Sequence, residues 1–372
     1  MMQSAINFYT KREKPLNNVK MLIIYLGNKC NFDCVYCDRG YIESLGGQSL
    51  NGNTTQELQE FFLWAEQQEN GVEWISFHGG EPLLFAKRME QCLEWLMPIA
   101  ERNGWKVGMT TNGSLIKENE HIFEKYSGKL GATISYDFMF QEQNRDKLDI
   151  VEMSDVLNKH CFDWKWQYVL PIEDKRAFSF ESIESIVNTC YKTGCKTVNI
   201  IPLRHHRGKD KFDVIIDRVN LSQFFGAFLE FIQILYIKKL NVFIDGNYDK
   251  IDKAYFAEHN KLILSPDGYL YPEFDFLEYK VQNTRIGKWQ DGVEVWKPLG
   301  DDGRINESCM SCEQQASCGL KYLYKLFDKE PEGSCKQFYK FVDTIIMHNA
   351  ELKKEKSLFH RIGIDNQFKV NM

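Results

Sequence analysis

The chain has 372 residues, of which 43% are hydrophobic and 26% charged, and its formal net charge is −6. That length holds one large α/β domain with a smaller one beside it, and that composition excludes a disordered, fibrous or collagen-like chain. The acidic balance supplies no general attraction for nucleic acid, and no run approaches the ~18 uninterrupted apolar residues that a membrane-spanning helix needs.

The segment from Met1 to Lys20 is polar and has no apolar core of the kind a secretory signal carries. A cytoplasmic, reducing location is therefore expected. In that setting the eleven cysteines read as ligands or core residues rather than disulfides.

In chain order, Met21–Leu26 (MLIIYL) is an apolar run of strand length, and it is followed at once by Cys30-Asn31-Phe32-Asp33-Cys34-Val35-Tyr36-Cys37. Thr54–Glu69 opens on a capping threonine and carries apolar residues at helical spacing. Strands are then expected at Trp74–Phe77, Lys106–Thr111, Gly131–Tyr136, Trp164–Leu170 and Thr197–Leu203. Helices are expected at Phe85–Arg102, His121–Tyr126, Asp146–His160 and Phe180–Thr193. The alternation predicts a parallel α/β sheet of six β/α units, short of the eight of a complete barrel. Leu221–Leu240 reads as a long apolar helix that closes this unit. Beyond it, Leu262–Tyr271 is a hairpin around Pro266-Asp267-Gly268. Domains are accordingly expected at 1–240 and 241–352, with a charged tail at 353–372.

Three cysteines at CxxxCxxC spacing, on a loop leaving a strand, suit a metal or iron–sulfur centre. Three thiolates leave one iron of a four-iron cluster open, whereas a structural zinc site normally closes its fourth position. A zinc knuckle remains the alternative on the spacing alone. The stretch resembles the signature loop of the radical S-adenosylmethionine (radical SAM) enzymes. That resemblance implies a partial (β/α)6 barrel and a 4Fe-4S cluster on Cys30, Cys34 and Cys37. It also implies S-adenosyl-L-methionine on the open iron, cleaved to a 5′-deoxyadenosyl radical, with Tyr36 near the adenine.

The resemblance extends to three strand ends. His78-Gly79-Gly80-Glu81-Pro82 matches the family's GGE motif, which implies that Gly79, Gly80 and Glu81 hold the methionine amino group. Thr110-Thr111-Asn112-Gly113 and Ser135-Tyr136-Asp137 resemble strand ends lining the cosubstrate pocket, which implicates Asn112, Ser135 and Asp137. Read without the family, both stretches are ordinary turn chemistry. After the sixth strand, Arg204-His205-His206-Arg207 forms either a solvated basic loop or an anion grip, with Arg204 the best placed.

A second cysteine group comprises Cys309, Cys312, Cys318 and Cys335, a closed set able to hold a full cluster or a zinc ion. It resembles the outer-cluster ligands of the SPASM or twitch domain found on radical SAM enzymes that modify peptides and proteins, and implies a small C-terminal α+β domain. The inner-cluster ligands of that domain have no counterpart. Glu273 and Tyr322 stand at two of the expected positions, and no cysteine lies between Cys195 and Cys309. Two 4Fe-4S clusters in all are expected. In sulfatase-maturing relatives an acid after the hairpin cysteine acts as base. Here Glu273-Phe274-Asp275 displaces it by one position, so Glu273 and Asp275, with Arg204, are candidates only and the catalytic acid or base is unassigned. Cys92, Cys161, Cys190 and Cys195 read as small core or surface residues.

The function expected is maturation of a ribosomally made peptide by hydrogen abstraction, giving a crosslink, an oxidation or an epimerisation. Maturation of a protein side chain, chemistry on a small metabolite, and a non-catalytic zinc or iron–sulfur interaction protein are the alternatives. A flavodoxin or ferredoxin is the expected electron donor. Only 20 residues precede the first strand, so leader recognition is expected from a separate protein, from the C-terminal domain, or not at all.

Overall fold

The computed structural model describes residues 19–37, 55–67, 72–203, 206–208, 211–213, 215, 219–244, 261–266, 268–271, 287–291, 306–312, 330–331 and 335. Its first half is the alternation read from the sequence. β1 (Met21–Tyr25), α1 (Thr55–Gln67), β2 (Trp74–His78), α2 (Ala86–Asn103), β3 (Lys106–Thr111), α3 (Glu120–Lys125) and β4 (Leu130–Ser135) follow one another. Then come α4 (Gln141–Asn144), α5 (Ile150–His160), β5 (Asp163–Leu170), α6 (Phe180–Thr193) and β6 (Thr197–Pro202). The antiparallel pair β7 (His206–Gly208) and β8 (Lys211–Asp213) precedes α7 (Leu221–Ile237) and β9 (Asn241–Ile244). β10 (Lys261–Leu264), β11 (Tyr269–Tyr271), β12 (Gly287–Lys288) and the short α8 (Glu307–Met310) complete the described elements.

One 10-stranded sheet runs in the order β12-β11-β10-β1-β2-β3-β4-β5-β6-β9. From β10 to β9 every pairing is parallel, which directs all those carboxyl ends to one rim. The α/β class and the parallel sheet agree with the reading from sequence. The sheet is wider than six strands. β9 joins β6, and the expected hairpin, seen as antiparallel β10–β11, is attached through β10 to β1. Strands on both sides of residue 241 thus belong to one sheet.

Two helix boundaries differ from expectation by three residues or more. The helix expected from Asp146 begins at Ile150, because Asp149 is its cap and accepts hydrogen bonds from the Val151 and Glu152 N–H groups. The helix expected to reach Leu240 stops at Ile237, where Lys239 adopts φ 58 and breaks the helical path.

Strand alternation sorts the sheet into two chemistries. One face carries Ile75, Phe77, Val107, Met109, Ile134, Trp166, Tyr168, Val198 and Ile200, all buried. Cross-strand register places Ser76, His78, Thr110, Thr133, Ser135, Lys165, Gln167 and Asn199 on the other. Parallel sheets covered on both faces are apolar throughout, so a polar face marks the side that a ligand can reach.

Candidate active site at the carboxyl ends of the strands

The cysteine loop leaves β1 at the rim and is stitched to the end of β2. Gly80 N–H donates to the Gly27 carbonyl at 2.8 Å, and Glu81 N–H to the Lys29 carbonyl at 2.8 Å. The two segments lie so close that a Cβ on Gly79 would stand 2.5 Å from the Gly27 oxygen, and one on Gly80 would stand 2.4 Å from the Lys29 oxygen. These glycines are therefore required by backbone against backbone, whatever else they contact.

Glu81 is 0% exposed and its carboxylate is saturated from within. One oxygen accepts from Leu83 N–H at 2.9 Å and Thr111 Oγ1 at 2.7 Å, the other from Asn112 N–H at 2.8 Å. Burial raises its pKa, and these hydrogen bonds work in the opposite direction. In this arrangement Glu81 clamps the end of β2 to the end of β3. Asn112 passes the clamp on to the cysteine loop, donating to Asn31 Oδ1 at 2.9 Å and, weakly, to Cys30 Sγ at 3.7 Å.

The far side of the loop rests on the segment after β4. Tyr36 Oη donates to Asp137 Oδ2 at 2.8 Å and accepts from Arg145 Nη1 at 2.8 Å. Val35 N–H donates to the Asn144 carbonyl at 3.0 Å, and Asp33 N–H to Asp146 Oδ2 at 3.3 Å. Asp137 is 0% exposed, and burial raises its carboxyl to about 6 against the pull of Arg145 and its hydrogen-bond donors. Its proton is held more tightly folded than unfolded, so stability contributed at low pH is lost as pH rises from 3.8 through about 6. Denaturant titrations of Asp137→Asn should accordingly show the parent losing ground to the variant across that window. A difference independent of pH would contradict the assignment.

The predicted cosubstrate residues Tyr36, Gly79, Gly80, Glu81, Asn112, Ser135 and Asp137 thus come together at one rim with Cys30, Cys34 and Cys37. Several are already committed to one another, and Ser135, half-buried on the polar face with Gln167 Nε2 at 3.5 Å, is the one facing a ligand's side of the sheet. Sequence reading missed Arg145, Gln141 and Asn144, which build the cradle; a polar Gln-Glu-Gln-Asn-Arg run starting six residues after the end of β4 was the available signal. It also missed His78, whose Nε2 lies 3.1 Å from Thr110 Oγ1 and whose pKa falls to about 3 through burial and then the Lys261 charge. Arg204, Glu273, Asp275 and Cys318 lie outside the described residues.

Cys30, Cys34 and Cys37 lie on one loop, none of them in a disulfide, and Phe32 N–H points at Cys30 Sγ at 3.4 Å. Burial raises Cys34 to about 11, with the Arg145 charge opposing. Among the described residues no three His, Cys, Asp or Glu side chains converge on a single metal ion. A cubic cluster takes one thiolate per iron and needs its ligands further apart. Three thiols outside any disulfide, a backbone donor to sulfur and a neighbouring cation fit such an anionic group. In the second group, Asn306 caps α8 through Ser308 N–H, Cys309 is buried, and Cys335 packs against the same core. Cys92, Cys190 and Cys195 are buried, and burial pushes the Cys92 and Cys195 thiols up to about 12. They suit the core, as expected.

The CxxxCxxC loop and the Gly79-Gly80-Glu81 clamp thus stand together at the carboxyl rim of a parallel sheet. The Radical SAM superfamily model matches residues 24–219, more than half of the chain, and the chain belongs to that superfamily. A "Probable GTP 3′,8-cyclase" of Methanocaldococcus jannaschii is 23% identical over 282 residues, 70% of this chain and 87% of the relative. Another of that description, from Methanocella arvoryzae, is 30% identical over 125 residues, 34% of this chain and 36% of the relative. Among solved structures, Streptococcus suis SuiB bound to S-adenosylmethionine superposes with a TM-score of 0.62 at 18% identity, covering 90% of this chain and 80% of SuiB. anSMEcpe with bound AdoMet and the Cp18Cys peptide gives 0.60 at 18% identity, covering 89% of this chain and 98% of anSMEcpe. Membership implies a 4Fe-4S cluster and S-adenosylmethionine. Among the described residues no helix is long and apolar enough to cross a membrane.

Proposed function

We propose that this radical SAM enzyme modifies a ribosomally made peptide. Cys30, Cys34 and Cys37 would hold the 4Fe-4S cluster, which when bound would supply the one electron that cleaves S-adenosylmethionine to methionine and a hydrogen-abstracting 5′-deoxyadenosyl radical. The chain's own residues orient and enclose. Ser135 and the Gly79–Gly80 carbonyls hold the polar end of the cosubstrate, and the polar face of the sheet receives the target carbon. Cys309, Cys312, Cys318 and Cys335 would hold one auxiliary cluster, closed to substrate by its four thiolates, which would supply a path for the surplus electron of an oxidative reaction. A flavodoxin or ferredoxin supplies reductant at the rim where Val35 is 62% exposed.

The observation that carries this reading is the reach of the structural likeness. It continues past residue 219 to about nine-tenths of the chain in both SuiB and anSMEcpe, and SuiB is also known bound to its precursor peptide SuiA with a TM-score of 0.61. Co-expression with the short reading frames beside the gene, followed by mass spectrometry, tests it. A peptide lighter by two hydrogens, absent with Cys34→Ala, is the expected result for a crosslink; deuterium incorporation from solvent at unchanged composition is the expected result for epimerisation. Unmodified peptides in both measurements would remove the peptide reading.

A second reading, a nucleotide substrate, draws on the M. jannaschii relative, which matches 87% of its own length. Lys165 on the polar face would then meet a phosphate. Incubation of the reconstituted protein with GTP and reductant decides between them. GTP consumption coupled to 5′-deoxyadenosine would favour the nucleotide, and none would leave the peptide.

A further inference from the structure

Arg145 has no role in either motif of the family reading, yet it sits at the centre of the contacts that hold the cysteine loop. Its Nη1 donates to Tyr36 Oη at 2.8 Å, and its guanidinium stands 5.9 Å from the Phe32 ring centroid. Tyr36 and Phe32 alternate with the cysteines themselves, so one arginine touches the loop on both sides of Cys34. The next residues back and forward, Asn144 and Asp146, take the Val35 and Asp33 N–H groups. Gln141 fixes this segment in turn, accepting from Asp137 N–H at 2.9 Å and donating to the Asp146 carbonyl at 2.6 Å. Phe138, between them, is held at φ 50, a conformation that a phenylalanine rarely adopts and that packing must impose. Its ring meets Tyr136 and Tyr168 edge-on, each at 5.3 Å.

The charge of Arg145 is the unusual part. Among the described residues it forms no ion pair; the Tyr36 hydroxyl stands between it and Asp137, and its Nε is buried without a hydrogen-bond partner. Burying a guanidinium with no carboxylate in contact is costly, and structural arginines are normally paired. The field of Arg145 reaches Cys34, Tyr36 and Asp137. The cation, unpaired among the described residues, therefore lies beside the thiol of Cys34, where a cluster would bring negative charge.

We propose that Arg145 is the positioning residue of the cluster loop, locking Tyr36 against Asp137 and holding a fixed positive charge beside Cys34. The proposal rests on the radical SAM assignment and not on the peptide reading. A fixed cation stabilises the more negative, reduced state of a neighbouring cluster, so it raises the potential at which that cluster takes an electron.

The test compares Arg145→Met, Arg145→Lys and Tyr36→Phe with the parent in two measurements. The first is amide hydrogen exchange of the metal-free chain. Residues 30–37 should exchange at least about tenfold faster in Arg145→Met and Tyr36→Phe, the loss expected for a hydrogen bond to a charged group, while β3 and β4 keep their protection. The second is the midpoint potential of the reconstituted cluster without cosubstrate. It should move negative in Arg145→Met and return toward the parent in Arg145→Lys. Loop protection unchanged in the folded variants, protection lost equally in β3 and β4, or a potential indifferent to the charge at 145 would overturn the proposal. A parent chain that takes up no iron would instead contradict the cluster assignment, and the exchange measurement would still stand alone.

Discussion

Cys34→Ala is expected to leave a folded protein that retains the auxiliary iron, loses the iron of the first cluster and makes no 5′-deoxyadenosine above a reductant-only control. Cys34 sits half-buried in the middle of the loop, between Phe32 and Tyr36, and is one of only three thiolates available to a four-iron cluster there. Removing one ligand of three leaves two irons without protein ligands. The backbone holding the loop is independent of this thiol: Val35, Gly80 and Glu81 N–H groups bond to carbonyls at Asn144, Gly27 and Lys29. With two clusters the parent should carry about eight irons per chain and the variant about four. Equal iron in both would assign the cluster to other residues.

Gly80→Ala is expected to be the most disruptive single substitution outside the cysteines. The added Cβ would meet three backbone atoms of Asn28 and Lys29 at 2.4–2.6 Å, and backbone atoms cannot step aside as a side-chain end can. Relief requires β2's end and the cysteine loop to part, which breaks the Gly80-to-Gly27 and Glu81-to-Lys29 hydrogen bonds. Overpacking of this kind costs on the order of 3 kcal/mol. Two lost hydrogen bonds add about 1 kcal/mol each. A urea midpoint close to that of the parent would show that the two segments are not in contact as described. Glu81→Gln is the milder companion. It keeps one acceptor oxygen, for Leu83 N–H and Thr111 Oγ1, while its NH2 group opposes Asn112 N–H, and it should still cost less than Gly80→Ala, with the same ordering in cluster retention.

Much of the fold was legible because its signals are local. α6 spans the residues its sequence pattern predicts, Phe180–Thr193, since Ser179 caps it and Ile183, Ile186 and Cys190 bury one face. The six strands from β1 to β6 declared themselves as short apolar runs with turns between them. What escaped was pairing at long range. Nothing in Asn241–Ile244 or Lys261–Leu264 says that one joins β6 and the other β1, because strand partners are chosen by the assembled sheet edge and not by the strand's own four residues.

The site divides along the same line. Cys30, Cys34, Cys37 and Gly79-Gly80-Glu81 are legible because their chemistry fixes residue type and spacing. The direction in which a side chain is used is not. Glu81 and Asp137 were expected to face the cosubstrate, and both carboxylates are 0% exposed and hydrogen-bonded within the protein. Arg145, more than 100 residues from Tyr36 in sequence, reaches it only through the fold.

The central claim is that this rim cleaves S-adenosylmethionine, and the most direct measurement is 5′-deoxyadenosine formed by the anaerobically reconstituted chain with reductant. The parent should accumulate it steadily, and the chain with Cys30, Cys34 and Cys37 all replaced by alanine should form none. A parent loaded with iron that forms no 5′-deoxyadenosine, or that binds zinc and no iron, would contradict it.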